Sequence, residues 1–592
     1  MSLDAIGPTM TSMHPNPVIA AWNRAVLERE RALPYRPWVT VLFAVIIAIF
    51  VSFVFWRCAD NGFVNWDDDR NFLQNESFRG VGVEQIRWAW RTCHLGVWQP
   101  AAWMVFGAEY ECFGLDPRGY HLVSIVLHCL TCAALFSVMF ALLRAVGPRE
   151  VSQSRLRGVA AVAALAFAVH PLRVEVVAWT SCQPYLPSAL FFLLAIGAYL
   201  RAWRTDSRSR RVAWVVLSLA CYVTAVLFKA VAVTLPAVLL ILDWLHHRRA
   251  DASAASQPVG RRSWPMLIIE KTPFVVVAAI VSLQAARAKD INESRAPLAE
   301  FNVSARMAHA SYALVAGVTQ TIPSRRLTPY DRLPEDLSLF RPRFLVCAIL
   351  VLFVTAFCFA LVRRRPYYLA AWLAYVIILL PNAGLIQISQ QLTADRYTYL
   401  ATMPLYMLLA ALLLRLRGHY TIVMLLNGFL LVAPIVMTPV QVLTWRDGES
   451  LWSRAVELDP GCAVAQCNLG EAQLQASKHA EAEQSLRRAI EIDPTLSFAW
   501  SNLGVVQFAR GDSAKAVDSF ERALASSPSL TGLDKARTHA ALGAAYAGLR
   551  KDDLAWKHTL IARDMGFAPA QKMIDYLSQF SRPPTTSNRA MD

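Results

Sequence analysis

The sequence predicts an all-α chain: a polytopic helical membrane domain of about eleven spans followed by a helical-repeat solenoid. Three observations predict it. Apolar runs of about 20 residues, the length that crosses a bilayer as a helix, recur from Val39 to Leu443. The chain is 55% hydrophobic with a mean hydropathy of +0.35, more apolar than soluble domains. Beyond Leu443 it turns polar, rich in Ala, Glu and Gln, and repeats with a fixed period.

The spans fall at roughly 38–57, 119–143, 158–178, 184–202, 212–228, 231–246, 264–285, 343–362, 366–384, 397–415 and 419–441. Basic residues mark alternate ends. Arg24, Arg29, Arg31 and Arg36 precede the first span, and Arg144, Arg149, Arg155 and Arg157 join the second to the third. Arg201, Arg204, Arg208, Arg210 and Arg211 follow the fourth, and Arg248, Arg249, Arg261 and Arg262 the sixth. Arg363 to Arg365 follow the eighth, and Arg415 and Arg417 the tenth. Short cytoplasmic loops hold Lys and Arg, so the N-terminus is expected in the cytoplasm. An odd number of spans then puts the repeats in the periplasm or an equivalent non-cytoplasmic space, on a protein of the cytoplasmic membrane. The net charge of +15 is accounted for by these loops, and nucleic acid is not an expected partner. The N-terminal stretch has no secretory cleavage pattern, so the first span is expected to stay as an anchor.

The expected organisation is a cytoplasmic segment 1–37, a membrane domain 38–443 with outer-face loops 58–118 and 286–341, repeats over 444–580, and a disordered tail 581–592. Within the first loop, "GVEQIRWAWRT" (82–92) and "WQPAAWMVFGAEYECFG" (98–114) are Trp-rich and apolar on one side. Such segments lie along the membrane interface and suit a roof over an outer-leaflet cavity. Cys58, Cys93, Cys112 and Cys182 fall outside the bilayer, where a disulfide and free or partly buried thiols are both open. Asp243 falls on the cytoplasmic side as a structural cap. Around Lys229, two short spans and one re-entrant element are both open.

The repeat period is specific. Glu457-Leu458-Asp459-Pro460 recurs as Glu491-Ile492-Asp493-Pro494, with Pro528 after a further equal interval. Asn468-Leu469-Gly470 recurs as Asn502-Leu503-Gly504, and Ala482 and Ala489 match Ala516 and Ala523. The spacing of 34 is that of tetratricopeptide repeats. A half-copy spans Asp447–Pro460, and a less regular third copy runs from Thr538. Stacked helix pairs leave a concave face suited to extended peptides, so recruitment of an acceptor protein or peptide stands beside capping or self-association.

Charges at the edge of a bilayer are costly unless paired or hydrated, which makes them functional candidates. Four clusters share the outer face: Asp67, Asp68 and Asp69; His170, Arg173 and Glu175; Lys229; and Asp395, Arg396, Tyr397 and Tyr399. Structural readings compete with each. The aspartates can cap a helix starting near Arg70, His170-Pro171 can end a span, Lys229 can snorkel, and Asp395-Arg396 can be a local ion pair. Both signs on one face suit a site that binds a lipid phosphate through cations and activates a hydroxyl through a carboxylate.

The stretches "FVNWDDD", "WQPAAWMVFGAEYECFGLDPRGYHLVSIVLH", "AFAVHPLRVEVVAW", "KAVAVTLPAVLLILDW" and "LPNAGLIQISQQLTADRYTYL", followed by the repeats, resemble one family. It is the transmembrane and tetratricopeptide-repeat O-mannosyltransferases and their bacterial relatives, within the GT-C superfamily of glycosyltransferases. The resemblance covers most of residues 38–580. It implies a GT-C-type membrane domain with a catalytic cavity on the non-cytoplasmic face. It also implies a donor sugar, mannose or another hexose, on a polyprenyl or dolichyl phosphate, and a hydroxyl acceptor such as Ser or Thr of a protein. The acidic residue that carries the chemistry in that superfamily maps to Asp67, with Asp68 second.

A carboxylate within reach of the attacking hydroxyl accepts its proton. The leaving phosphate needs cations instead, and Arg396 is the first candidate because a guanidinium holds phosphate oxygens through two donors. Lys229 and Arg173 come next, with His170, Glu175, Asp395 and Tyr397 as positioning groups. Direct displacement inverts the anomeric centre. A divalent cation, Mg or Mn, on Asp67 and Asp68 is conceivable, though no spacing demands one. One departure stands out: where relatives carry a basic–acidic pair after the His-Pro segment, this chain has Thr180-Ser181-Cys182-Gln183-Pro184-Tyr185, with no charge. That leaves altered specificity, lost activity or a non-catalytic membrane scaffold for protein partners as alternatives. A transporter or flippase reading lacks the inverted hydrophobic repeat often found in transporters.

Overall fold

The computed structural model describes residues 36–147, 151–252, 263–291, 301–324, 327–385, 391–415, 420–526 and 532–580. Residues 1–35 with Arg24, Arg29 and Arg31, then Arg149, Arg261, Arg262, residues 386–390, Arg417, Pro528 and the tail 581–592 lie outside the described residues, as do the side chains of 249–252 and 420–429.

Seven described helices are long and apolar enough to cross a bilayer: Pro37–Asp60, Pro117–Val146, Thr180–Ala202, Arg208–Phe228, Ala230–Arg248, Trp264–Ile291 and Pro342–Ala360. An eighth arises if Gln153–Ala168 and Pro171–Ala178, which meet at 61°, form one span. Three shorter apolar helices, Pro366–Asn382, Met403–Leu413 and Leu430–Thr444, occupy the remaining predicted segments. The chain is an integral membrane protein. Its outer helices carry large apolar side chains with no protein neighbour to cover them, such as Phe53 at 79% exposed and Leu352 at 69%. Surface of that kind belongs against lipid tails.

The bend at the third span has a local cause. Pro171 has no N–H to continue the helix and pushes His170 into an extended conformation, φ −72° and ψ 137°. The His170 ring then accepts the Leu172 N–H through Nδ1 and starts a new turn. Around Lys229 the chain makes two helices, Arg208–Phe228 and Leu235–Ala252, joined by a 3-10 turn at Ala230–Thr234. Asp243 is buried and does more than cap an end: it pairs with Lys271 at 2.8 Å and accepts from Tyr199 and Trp203.

Two elements differ from the sequence reading. The predicted loop 286–341 contains the helix Val303–Thr319. Its Ala- and Gly-rich face packs inward, and a Cβ on Gly317 would stand 2.5 Å from the Tyr375 hydroxyl. The predicted span 397–415 breaks at Thr402 into Asp395–Ala401 and Met403–Leu413, because Pro404 cannot donate in a continuous helix. All eleven cysteines are free thiols, with Cys58 and Cys182 buried, so no disulfide links the four outside the bilayer.

The two Trp-rich stretches form helices Val83–Arg91 and Pro100–Phe113, held together by Trp88 on Trp103 with centroids 5.0 Å apart. Phe106 of the second meets Phe72 at 5.0 Å, which sets this pair of helices over the aspartate segment. The C-terminal domain is a stack of antiparallel helices from Gly448–Leu458 to Ala570–Ser578. The recurring glycines mark its closest crossings: a Cβ on Gly470 would lie 2.6 Å from Leu486, and one on Gly504 2.7 Å from Phe520. The third copy begins earlier than Thr538, with the helix Gly532–Gly548.

Candidate active site

After the first span the chain turns through Trp56–Asp60 and enters an irregular segment, residues 61–75, that carries the three aspartates. Its fold is set by Asp68, which is fully buried. One carboxylate oxygen accepts the Val64 N–H at 3.1 Å. The other accepts the Ser181 N–H at 2.9 Å and the Ser181 hydroxyl. Burial pushes this carboxyl up to about 7, and the hydrogen bonds from Ser181 and Val64 oppose the shift. Asp68 therefore ties the aspartate segment to the uncharged stretch at 180–185.

Pinned beside it, Asp67 sits in the left-handed region at φ 63°. Few side chains tolerate that conformation, and Asp and Asn are among them. Burial raises the Asp67 carboxyl, and the Arg396 guanidinium is the strongest opposing influence, followed by Arg70; Asp69 raises it further and Lys229 lowers it. Asp69 opens a π-helical turn, Asp69–Leu73, and accepts from Gln74 at 3.2 Å.

Arg396 reaches the same space from the far end of the membrane domain. Its guanidinium pairs with Glu175, which also accepts the Arg396 backbone N–H at 2.8 Å. Glu175 thus holds the start of helix Asp395–Ala401 and one edge of the guanidinium together. The other edge donates to neutral groups, Gln391 at 3.3 Å and the Tyr397 hydroxyl at 3.5 Å. The guanidinium carbon lies 5.3 Å from the Trp179 ring and 5.8 Å from the Trp66 ring. Trp66 itself stands among Trp179, Trp445, Trp452 and Tyr330, with centroids 4.9 to 6.2 Å away.

Lys229 finds its partners within the chain. Its ammonium donates to Gln99 at 3.1 Å, at the start of the second Trp-rich helix, and stands 5.1 Å from the Tyr185 ring. Burial lowers Lys229 to about 8; Cys182 and Asp67 counter this, while Arg396 and Lys289 add to it. Lys289, near the end of helix Trp264–Ile291, interacts electrostatically with both Asp67 and Lys229 and joins the set.

The remaining sequence-selected residues sit elsewhere. Arg173 is fully buried, donates to Thr402 at 3.2 Å and stacks over Phe167 at 4.3 Å. Its charge also acts on Asp395, the residue before Arg396. His170 caps its turn and contacts the Thr321 carbonyl at 3.1 Å. Asp395 is buried next to Glu175, Arg173 and Arg396. Arg396, Glu175 and Tyr397 thus meet, with Trp66, the neighbour of Asp67, beside the guanidinium, while Arg173 and His170 make their hydrogen bonds to Thr402 and Thr321.

Lys289, Gln99, Ser181 and Trp66 escaped selection from sequence. Three are uncharged, and Lys289 reads as an ordinary charge at a span end. A metal on Asp67 and Asp68 does not fit. Both Asp68 oxygens face N–H and O–H donors, and no described group of three or more His, Cys, Asp or Glu is arranged to hold an ion.

A tetratricopeptide-repeat family model matches residues 444–497. Among curated proteins, the chain is 34% identical over 139 residues to protein O-mannosyl-transferase Tmtc1 of Drosophila melanogaster, covering 24% of this chain and 14% of that protein. It is 29% identical over 234 residues to protein O-mannosyl-transferase TMTC4 of Mus musculus, covering 36% and 31%. The match thus spans less than a third of the length of either relative. Among solved structures, ArnT from Cupriavidus metallidurans bound to undecaprenyl phosphate aligns with 82% of this chain and 80% of its own at 16% identity, with a TM-score of 0.34. MamA aligns with 28% of this chain and 85% of its own at 22% identity, with a TM-score of 0.17. Scores this low establish no residue correspondence.

Proposed function

Taking the chain as a relative of the transmembrane and tetratricopeptide-repeat O-mannosyltransferases, we propose that it is a membrane glycosyltransferase. It moves a hexose, mannose first among them, from a polyprenyl-phosphate carrier to a hydroxyl acceptor, Ser or Thr of a protein, at the non-cytoplasmic face of the inner membrane. The observation that supports this reading is that Asp67 follows Trp66, whose ring lies 5.8 Å from the Arg396 guanidinium, and that Arg396 and Lys229, from distant parts of the chain, both act electrostatically on the Asp67 carboxyl.

Asp67 accepts the proton of the acceptor hydroxyl as its oxygen bonds to the anomeric carbon. The bond from that carbon to the phosphate oxygen breaks, and its electron pair leaves with the phosphate. The edge of Arg396 turned away from Glu175, with Lys229, receives that charge as the phosphate displaces the neutral partners Gln391 and Tyr397. Attack opposite the leaving group inverts the anomeric centre. Asp68 has no free oxygen for this chemistry and acts by fixing the segment.

The test is transfer by the purified full-length chain in lipid nanodiscs, with a polyprenyl-phosphate mannose and a Ser/Thr peptide. Transfer by wild type and none by Asp67→Asn, with equal membrane insertion, is the expected result. Wild-type transfer by Asp67→Asn refutes the base assignment.

A further inference from the structure

The repeat array and the aspartate segment are not neighbours by chance of packing. Asn65, two residues before Asp67, is held by the array at both ends of its amide. Its Nδ2 donates to the Asn468 carbonyl at 3.0 Å, and its Oδ1 accepts from the Trp452 indole at 3.0 Å. Trp452 lies in the first array helix and is 1% exposed. The approach is so close that a Cβ on Gly448 would stand 2.2 Å from the Asn65 oxygen. Past the aspartates, Arg70 pairs with Asp534 at 3.0 Å, and Arg537 donates to Gln74 at 3.0 Å. Before them, the Gly62 N–H bonds the Arg446 carbonyl at 2.8 Å, where the last span runs into the array.

The opposite side of the segment is fixed to the membrane body through Asp68 on Ser181 and through the Trp179 indole on the Trp66 carbonyl at 2.9 Å. Trp66 is layered between the two bodies, 4.9 Å from Trp179 and 5.2 Å from Trp452. Asp67 is therefore held in its left-handed conformation by contacts from both domains at once.

We propose that the tetratricopeptide array is a clamp acting within its own chain: Asn65 and Trp452 are positioning residues that hold Asp67 in place for proton removal. Asn468, Asp534 and Arg537, on array helices Ala463–Gln475 and Gly532–Gly548, face the aspartate segment, so the array surface there is occupied by its own chain. The proposal rests on Asp67 as the base, and its test has an arm that does not.

The experiment compares full-length wild type with Asn65→Ala and with Trp452→Phe, which keeps a ring in place and removes the N–H. Two quantities are read: amide hydrogen exchange of peptides within 62–75, and transfer from polyprenyl-phosphate mannose to a short Ser/Thr peptide. The expected result is faster exchange confined to 62–75 and a kcat lowered about tenfold, the rate equivalent of one lost hydrogen bond, with donor KM unchanged. Unchanged exchange in both variants overturns the clamp. Faster exchange with unchanged kcat overturns the positioning of Asp67. No transfer by wild type overturns the glycosyltransferase reading instead, and the exchange comparison then decides the clamp by itself.

Discussion

Asp68 accepts both the backbone N–H of Ser181, at 2.9 Å, and its hydroxyl, across 113 residues of chain. The uncharged stretch 180–185 is thus the anchor of the aspartate segment. Ser181→Ala keeps the backbone donor and removes the hydroxyl, so it should cost about 1 kcal/mol of stability. It should also lower transfer, because Asp67 loses part of its support. Thermal melting in detergent and a transfer assay check both, and wild-type values in each count against the anchor.

Asp67 at φ 63° gives a sharper separation of stability from activity. Asn accepts the left-handed region nearly as well as Asp, while Gly accepts it without steric cost. Asp67→Asn should melt like wild type, and Asp67→Gly should match or exceed it, with relief on the order of 1 kcal/mol. Neither should transfer sugar. A destabilised Asp67→Gly would show that the carboxylate contributes more to folding than its conformation costs.

The pH profile of transfer should be bell-shaped. As the proposed base Asp67 works unprotonated, and burial raises its carboxyl, so activity should climb with pH through a value above the usual carboxylate range. As a proposed phosphate ligand Lys229 works protonated, and burial lowers it to about 8, so activity should fall as pH rises through that value. The groups facing Lys229 are Gln99, Tyr185, Cys182, Asp67, Arg396 and Lys289. Lys229→Arg keeps its charge to higher pH and should remove the alkaline limb. Persistence of that limb in Lys229→Arg assigns it to another group.

Lys289 has an ammonium within electrostatic reach of Asp67 and Lys229. Lys289→Ala should raise the donor KM and steepen its dependence on salt less than wild type, since one charge fewer meets the phosphate. Its effect on kcat should be smaller than that of Asp67→Asn. An unchanged donor KM removes Lys289 from the site.

The fold was largely legible because its signals are periodic. Apolar runs mark the spans, and recurring Gly and Ala mark the repeat crossings. The helix Val303–Thr319 escaped because its apolar residues are small, and close packing of Ala and Gly against Tyr375 carries no strong hydropathy signal. At the site, isolated charges near the membrane edge selected Arg396 and Glu175, which form an ion pair, and Asp67, which follows the Trp66 ring beside that pair. The same rule selected Arg173, which donates to Thr402, and His170, which caps its own turn. Charge and sidedness do not say which way a side chain turns. The contributions of Ser181, Gln99 and Asn65 are hydrogen bonds between residues far apart in sequence, and nothing local announces them.

Arg396 poses the hardest question, because Glu175 already neutralises it. Glu175 is 3% exposed at its side chain, so Arg396→Ala leaves a buried carboxylate without its cation. Such a loss costs about 3–5 kcal/mol, and a fall in donor binding by that variant would not distinguish a missing phosphate ligand from a damaged fold. The double variant Glu175→Gln/Arg396→Gln removes both charges together, and Gln at 175 can still accept the backbone N–H at 396. It should melt closer to wild type than Arg396→Ala does, since replacing a buried pair with neutral groups is tolerated far better than stranding one member. Its donor affinity should stay at least tenfold weaker than wild type, on the scale of one charge-assisted hydrogen bond. Melting curves and binding of a polyprenyl phosphate in nanodiscs separate the two effects. If affinity recovers along with stability, the guanidinium exists to hold Glu175 and helix Asp395–Ala401, and the leaving phosphate is received by Lys229 with Lys289 instead.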